Sequence, residues 1–128
     1  MSSAVEKAVT TYIRACCERD AATRAALLEA CFADDGRMVT RGRELRGRAA
    51  IAEMLTRAYA DPELLRIRVV SAVDARGTTF RFRAVSDFRN GTSPETFDAG
   101  EIDANGKISL ILSFPGPLAE PSSEASKA

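Results

Sequence analysis

The sequence predicts an α+β domain with helices on one face of a curved sheet. Three observations carry this. Apolar residues recur at helical spacing up to Asp61-Pro62. After Pro62 the period changes to alternation, in stretches rich in β-branched residues. Glycine-containing turns divide those stretches, so the order is helices first and then a four-strand antiparallel meander.

The first helix lies in "SSAVEKAVTTYIRACCERD", where Ser3-x-x-Glu6 forms a capping box. Val5, Ala8, Val9, Tyr12, Ile13, Cys16 and Cys17 give it one apolar face. Asp20 is placed to cap a second helix, with Leu27, Leu28, Cys31 and Phe32 as its buried stripe. "ADDG" is expected to stop that helix: Gly36 suits the left-handed C-terminal position, and Asp34 and Asp35 favour a turn. "RMVTR" then reads as a short strand and "GRELRG" as a loop. "RAAIAEMLTRAYA" is a third amphipathic helix, with Ile51, Met54, Leu55 and Ala58 inward, and it ends before Asp61-Pro62.

In the second half "LLRIRVVSAVD" alternates as one strand, and "DARG" turns it into "TTFRFRAVSDF". Asn90-Gly91 is a strong hairpin signal. "ETFDAGEID", an "ANG" turn and "KISLILSF" complete the meander. One domain is expected over residues 1–117, with a frayed Pro-, Ser- and Ala-rich tail over residues 118–128.

Composition narrows the function classes. The chain has 128 residues and is 45% hydrophobic, enough for a core without disulfide or metal staples. Formal net charge is zero, so no general attraction to nucleic acid or anionic membrane follows. No apolar run approaches the ~20 residues that span a bilayer. The start "MSSAVEKAV" lacks a signal-peptide pattern, so a soluble, cytoplasmic protein is expected. The richness in Ala and Arg fits a GC-rich bacterial genome. Histidine is absent, which excludes His triads, His bases and His-containing zinc sites. Cys16, Cys17 and Cys31 lack CxxC spacing and read as small buried hydrophobes. No metal or cofactor is expected. Arg37, Arg41, Arg43, Arg46 and Arg48 form a basic cluster without interleaved aromatics, read as a solvated loop.

Four stretches together resemble the nuclear-transport-factor-2-like superfamily, which includes ketosteroid isomerases and SnoaL-like polyketide cyclases. They are "VTTYIRACCERD", the "FADD" closing helix two, "LRGRAAIAEML" and "EIDANGKISLILSFPGP". The resemblance covers residues 4 to about 117. It implies a cystatin-like α+β cone: three helices and a bent antiparallel or mixed sheet around a pocket open at one end. Such scaffolds host enzymes and binding modules alike, so side chains aimed into the pocket decide function.

The resemblance implies roles for named residues. Tyr12 resembles the oxyanion tyrosine of the isomerases; it also lies on an apolar stripe, so a core tyrosine is the alternative. Asp98 resembles the oxyanion aspartate, and alternation puts it on one face with Thr96, Gly100 and Ile102. In an apolar cavity its pKa would rise and it could act as acid or base. The isomerases' base position falls on Thr40, which has no useful basicity near neutral pH. Thr40, Met54, Asp87 and Ile111 are the expected ligand-binding residues. For Asp87 two readings compete. Pattern points Phe80, Phe82, Ala84, Ser86 and Phe88 at the core, whereas aligning Asn90-Gly91 with the family hairpin points Asp87 and its neighbouring arginines inward.

Ile108, Leu110, Leu112 and Phe114 alternate onto one face of the last strand, and Ser109, Ile111 and Ser113 onto the other. With Ile111 toward the pocket, an apolar patch faces outward, implying a homodimer through the sheet. The expected protein is thus a pocket for a small hydrophobic or polycyclic molecule. It is either a cofactor-free acid/base isomerase or cyclase, or a non-catalytic binding or interaction domain lacking the base.

Overall fold

A computed structural model describes residues 3–122. Three helices are followed and interrupted by one seven-stranded mixed sheet. Helix α1 spans Ala4–Cys17, with the Ser3 hydroxyl accepting from the Glu6 amide. Helix α2 spans Ala21–Cys31, capped by Asp20, whose carboxylate accepts from the Thr23 amide at 2.9 Å. Helix α3 spans Arg48–Ala60, the predicted segment.

The strands are β1 (Phe32–Thr40), β2 (Arg43–Arg46), β3 (Leu64–Val69), β4 (Asp74–Arg76), β5 (Thr79–Phe88), β6 (Glu95–Ile102) and β7 (Ile108–Pro115). Their order is β2-β1-β7-β6-β5-β3, with β4 also paired to β5. The four-strand meander is therefore an undercount. "GRELRG" holds β2 instead of a loop, "LLRIRVVSAVD" is strand only as far as Val69, and the "DARG" expected to be a turn holds β4. Strand β1 lies parallel to β7, so the chain's first strand closes against its last. No local pattern announces that long-range pairing.

"ADDG" is not the turn that the sequence suggests. Helix α2 ends at Cys31, and Phe32 already begins β1. Asp34, Asp35 and Gly36 sit inside β1 where its register to β7 shifts between Phe32 and Arg37. The irregular backbone is satisfied from the α3 entry: Arg48 donates to the Phe32 carbonyl at 3.0 Å, and the Gly47 amide to the Gly36 carbonyl at 2.7 Å. Gly36 does not take a left-handed conformation. A Cβ there would overlap the Phe32 ring, so close packing is what requires glycine.

Two more register shifts, at Leu64/Arg66 and Glu101/Ile102, bend the sheet around the helices. The second shift turns Ile108 into the core, off the outer face that simple alternation assigned to it. The resulting cone packs Val9, Tyr12, Leu28, Ile51 and Leu55 of the helices against Phe32, Phe80, Phe82, Ile108 and Ile111 of the sheet. Buried Arg24 ties the helices together. It donates to the Glu18 and Arg19 carbonyls and to the Thr56 hydroxyl, and it lies over the Tyr59 ring. Tyr59 in turn donates to the Cys16 carbonyl. Beyond β7, residues 118–122 form neither helix nor strand, and the rest of the expected tail lies outside the described residues.

Candidate functional site

The concave sheet face and the helices enclose a cavity of about 620 Å³. Registered pairing determines which side chains share it. Arg43 of β2 pairs with Thr40 of β1, Thr40 with Ser113 of β7, Ser113 with Asp98 of β6, and Asp98 with Phe82 of β5. Paired residues point to the same side of a sheet, so these five form one row across the cavity wall. The next row, Leu45, Met38, Ile111, Gly100 and Phe80, is wholly apolar.

Asp98 occupies the middle of this wall and is 8% exposed. Its Oδ1 is buried without a hydrogen-bond partner among the described residues. Burial pushes its carboxyl up to about 6, with Ser113 pulling partly the other way. A carboxyl so placed exchanges protons near neutral pH. Alternation put Asp98 on one face of its strand, and the family resemblance pointed that residue at the pocket.

Tyr12 projects from α1 onto the same cavity, 2% exposed, with its ring 6.0 Å from that of Phe32. Burial holds its hydroxyl well above the ordinary phenol range, and the neighbouring Cys16 and Asp98 push it the same way. Tyr12 and Asp98 thus sense each other, but no hydrogen bond joins them among the described residues. Cys16 is also driven upward by burial, so it is a thiol and not a nucleophilic thiolate.

Thr40 and Met54 line the cavity. Ile111 does not. It faces the concave side but is fully buried beneath its neighbours, in the core. Asp87 is on the opposite face, and the pattern-based reading of β5 is the correct one: Phe82, Ala84, Ser86 and Phe88 line the cavity. Asp87 accepts from Arg66 and Arg68, both at 2.7 Å, and from Ser93 at 2.8 Å. These three hold its carboxyl far below the usual range, as a permanent outer-face anion. It is a structural clamp and is removed from the ligand-binding set.

Two cavity residues escaped the sequence reading. Ser113 was assigned to the right face but to no role; only its pairing with Asp98 and Thr40 gives it one. Arg43 was lost in a basic cluster that the fold divides. Arg37 and Arg46 share Glu44, Arg48 serves the β1 irregularity, and Arg41 and Arg43 stand at the cavity mouth.

No protein-family model matches the sequence, and no curated protein matches it either. Solved structures do. A proposed isomerase of the SnoaL-like family from Agrobacterium tumefaciens strain C58 superposes with a TM-score of 0.77 at 22% identity, covering 91% of this chain and all of that one (100%). The chain has the NTF2-like, SnoaL-like fold. An NTF2-like protein of unknown function from Burkholderia xenovorans LB400 gives 0.70 at 16% identity, covering 97% of this chain and 91% of its own. The epoxide hydrolase/cyclase-like enzyme SalBIII, which acts in pyran ring formation in the polyether salinomycin, gives 0.65 at 21% identity, over 87% and 89% of the two chains. Likeness at these identities establishes the shared scaffold, which serves unrelated chemistries.

Proposed function

We propose that this protein binds a small hydrophobic or polycyclic organic molecule in the cone and moves a proton on it without a cofactor. The observation that carries this reading is Asp98: a buried carboxyl on the cavity wall, with one oxygen left without a partner among the described residues. An unsatisfied buried acceptor costs stability, and such groups persist where a ligand uses them. In its ionised form Asp98 takes a proton from a carbon beside a carbonyl. The released electron pair moves to the carbonyl oxygen, and the Tyr12 hydroxyl donates to that developing oxyanion. Returning the proton to another carbon gives isomerisation; attack of the enolate on a second electrophile gives cyclisation. Tyr12, held above its ordinary range, stays a protonated donor throughout.

Thr40 supports a second reading. It stands where the resembling isomerases carry their base, and a single strand, β7, lies between its strand and that of Asp98. On this reading the cavity binds its ligand and leaves it unchanged. Native mass spectrometry of the purified protein identifies what it carries, and deuterium uptake by that compound in D2O separates the readings. Catalysis predicts exchange at a carbon next to a carbonyl, reduced at least about 100-fold by Asp98→Asn. Exchange undiminished in that variant would refute Asp98 as the proton carrier; a bound compound with no exchange supports binding alone.

The convex face favours self-association. Leu110, Leu112, Ala99 and Phe97 are only partly covered, and Phe114 is 56% exposed. A contiguous apolar sheet face of this kind is the basis for a homodimer in the cytoplasm of the source cell.

A further inference from the structure

The mouth of the cavity carries two cationic side chains, Arg41 and Arg43, without a direct ion-pair partner among the described residues. Strands β1 and β2 are joined by a tight hairpin whose two turn residues, Arg41 and Gly42, have φ of 53° and 74°. Turns of this kind favour Asn-Gly, because the first position is left-handed. Arg41 is the one non-glycine residue with positive φ among the described residues. Arg43 follows it at the start of β2, and both are exposed and line the cavity. Neither side chain has a hydrogen bond or an ion pair among the described residues. Of the other charged groups that line the cavity, Arg57 meets Glu53 at 2.6 Å, whereas the Asp61 carboxylate accepts only from the neutral Glu63 amide, at 2.9 Å. The wall behind them is lined by Phe82, Phe88, Leu45 and Met38.

We infer that the ligand is an amphipathic organic anion, its apolar body seated in the cavity and its carboxylate, sulfonate or phosphate held at the mouth by Arg41 and Arg43. The inference rests on the pocket reading above and specifies its substrate class. Distance makes it compatible with the Asp98 charge. Arg43 and Asp98 are three strand spacings apart, about 14 Å between backbones at ~4.8 Å per strand. Coulomb repulsion falls with distance, so an anion held at the exposed end of that span disturbs the Asp98 carboxyl less than one seated beside it. Guanidinium groups suit the role because they present paired donors to an oxyanion. A ligand of this class would span the row, with its reactive end near Asp98 and its anionic end at the hairpin.

Two fluorescent probes that differ in charge test this: anilinonaphthalene sulfonate and its uncharged parent, N-phenyl-naphthylamine. The intact protein should bind the sulfonate about fivefold more tightly, from two partly exposed charge contacts. Arg41→Gln/Arg43→Gln should erase that preference and leave the neutral probe's affinity unchanged. Arg37→Gln/Arg46→Gln removes the same charge beside Glu44 and should leave the preference intact. Filling the cavity with Met54→Trp should weaken both probes. Equal binding of the two probes by the intact protein overturns the anion inference while leaving the pocket reading standing. Binding of neither probe overturns both. A preference that falls equally in the two arginine double variants also overturns the inference, because the charge effect then arises outside the mouth; so does undiminished binding of both probes by Met54→Trp, which would put them outside the cavity.

Discussion

Replacing Asp98 with Asn tests the central feature of the site through stability alone, with no substrate required. Burial raises the Asp98 carboxyl from 3.8 to about 6 in the native state. Below the unfolded value the group is neutral in both states. Between the two values the unfolded chain has released its proton and the native chain has not. The native state then binds more protons, so stability falls as pH rises and the loss is complete above about pH 6. The interval corresponds to about 3 kcal/mol. Asn has nearly the same shape and stays neutral, so Asp98→Asn should match the parent near pH 4 and exceed it by about 3 kcal/mol near pH 8. Urea denaturation of both proteins at fixed protein concentration, from about pH 4 to pH 8, reads the difference directly. Effects common to both proteins, such as the acid-side loss of the Asp87 clamp, cancel in the subtraction. A pH-independent difference, or a variant less stable than the parent near pH 8, would refute the claim that burial outweighs the Ser113 hydrogen bond at the Asp98 carboxyl.

Other perturbations have equally definite outcomes. Gly100→Ala should cost about 1–3 kcal/mol or prevent folding, because the new Cβ overlaps the Leu110 carbonyl and comes within 2.8 Å of Phe80 Cζ; an unchanged melting temperature would contradict this. Arg24→Met should cost about 2–4 kcal/mol, since the Glu18 and Arg19 carbonyls lose their donor. Arg24→Lys should recover only part of that loss, as an ammonium lacks the fork. Asp87→Asn should lower stability at neutral pH while reducing the stability lost as pH falls below the ordinary carboxylate range, followed by acid titration of circular dichroism; ligand affinity should not change, because Asp87 is on the outer face. Leu112→Glu should convert a dimer into a folded monomer by sedimentation, and a dimer that persists would exclude the convex face as the interface.

The fold and the site were legible to different depths. The starts of α1 and α2 and the end of α3 were legible because their determinants are local. Ser3 and Asp20 bond to amides three residues away, and Asp61-Pro62 ends α3. Which residues of β5 and β6 share a face was legible because alternation transmits directly to burial. Asp98 could be assigned a face on that ground, whereas Asp87 needed the Arg66–Arg68–Ser93 clamp to show its side.

The sequence by itself determined the three helices, the alternating strands after Pro62, the side of β6 that carries Asp98 and the exclusion of histidine chemistry. These follow from spacings of a few residues, over which backbone geometry is nearly deterministic. Tertiary structure alone decided the rest. Pairing of β1 with β7 unites residues more than seventy positions apart, and it turns Asp34-Asp35-Gly36 from an apparent helix stop into part of a strand. The same pairing aligns Arg43, Thr40, Ser113 and Asp98 in one row, buries Ile111 and frees Arg41 and Arg43 from a cluster that looked uniform. A site is a property of neighbours in space. Where those neighbours come from distant strands, their register is set by the packing of the whole sheet, and no local pattern encodes it.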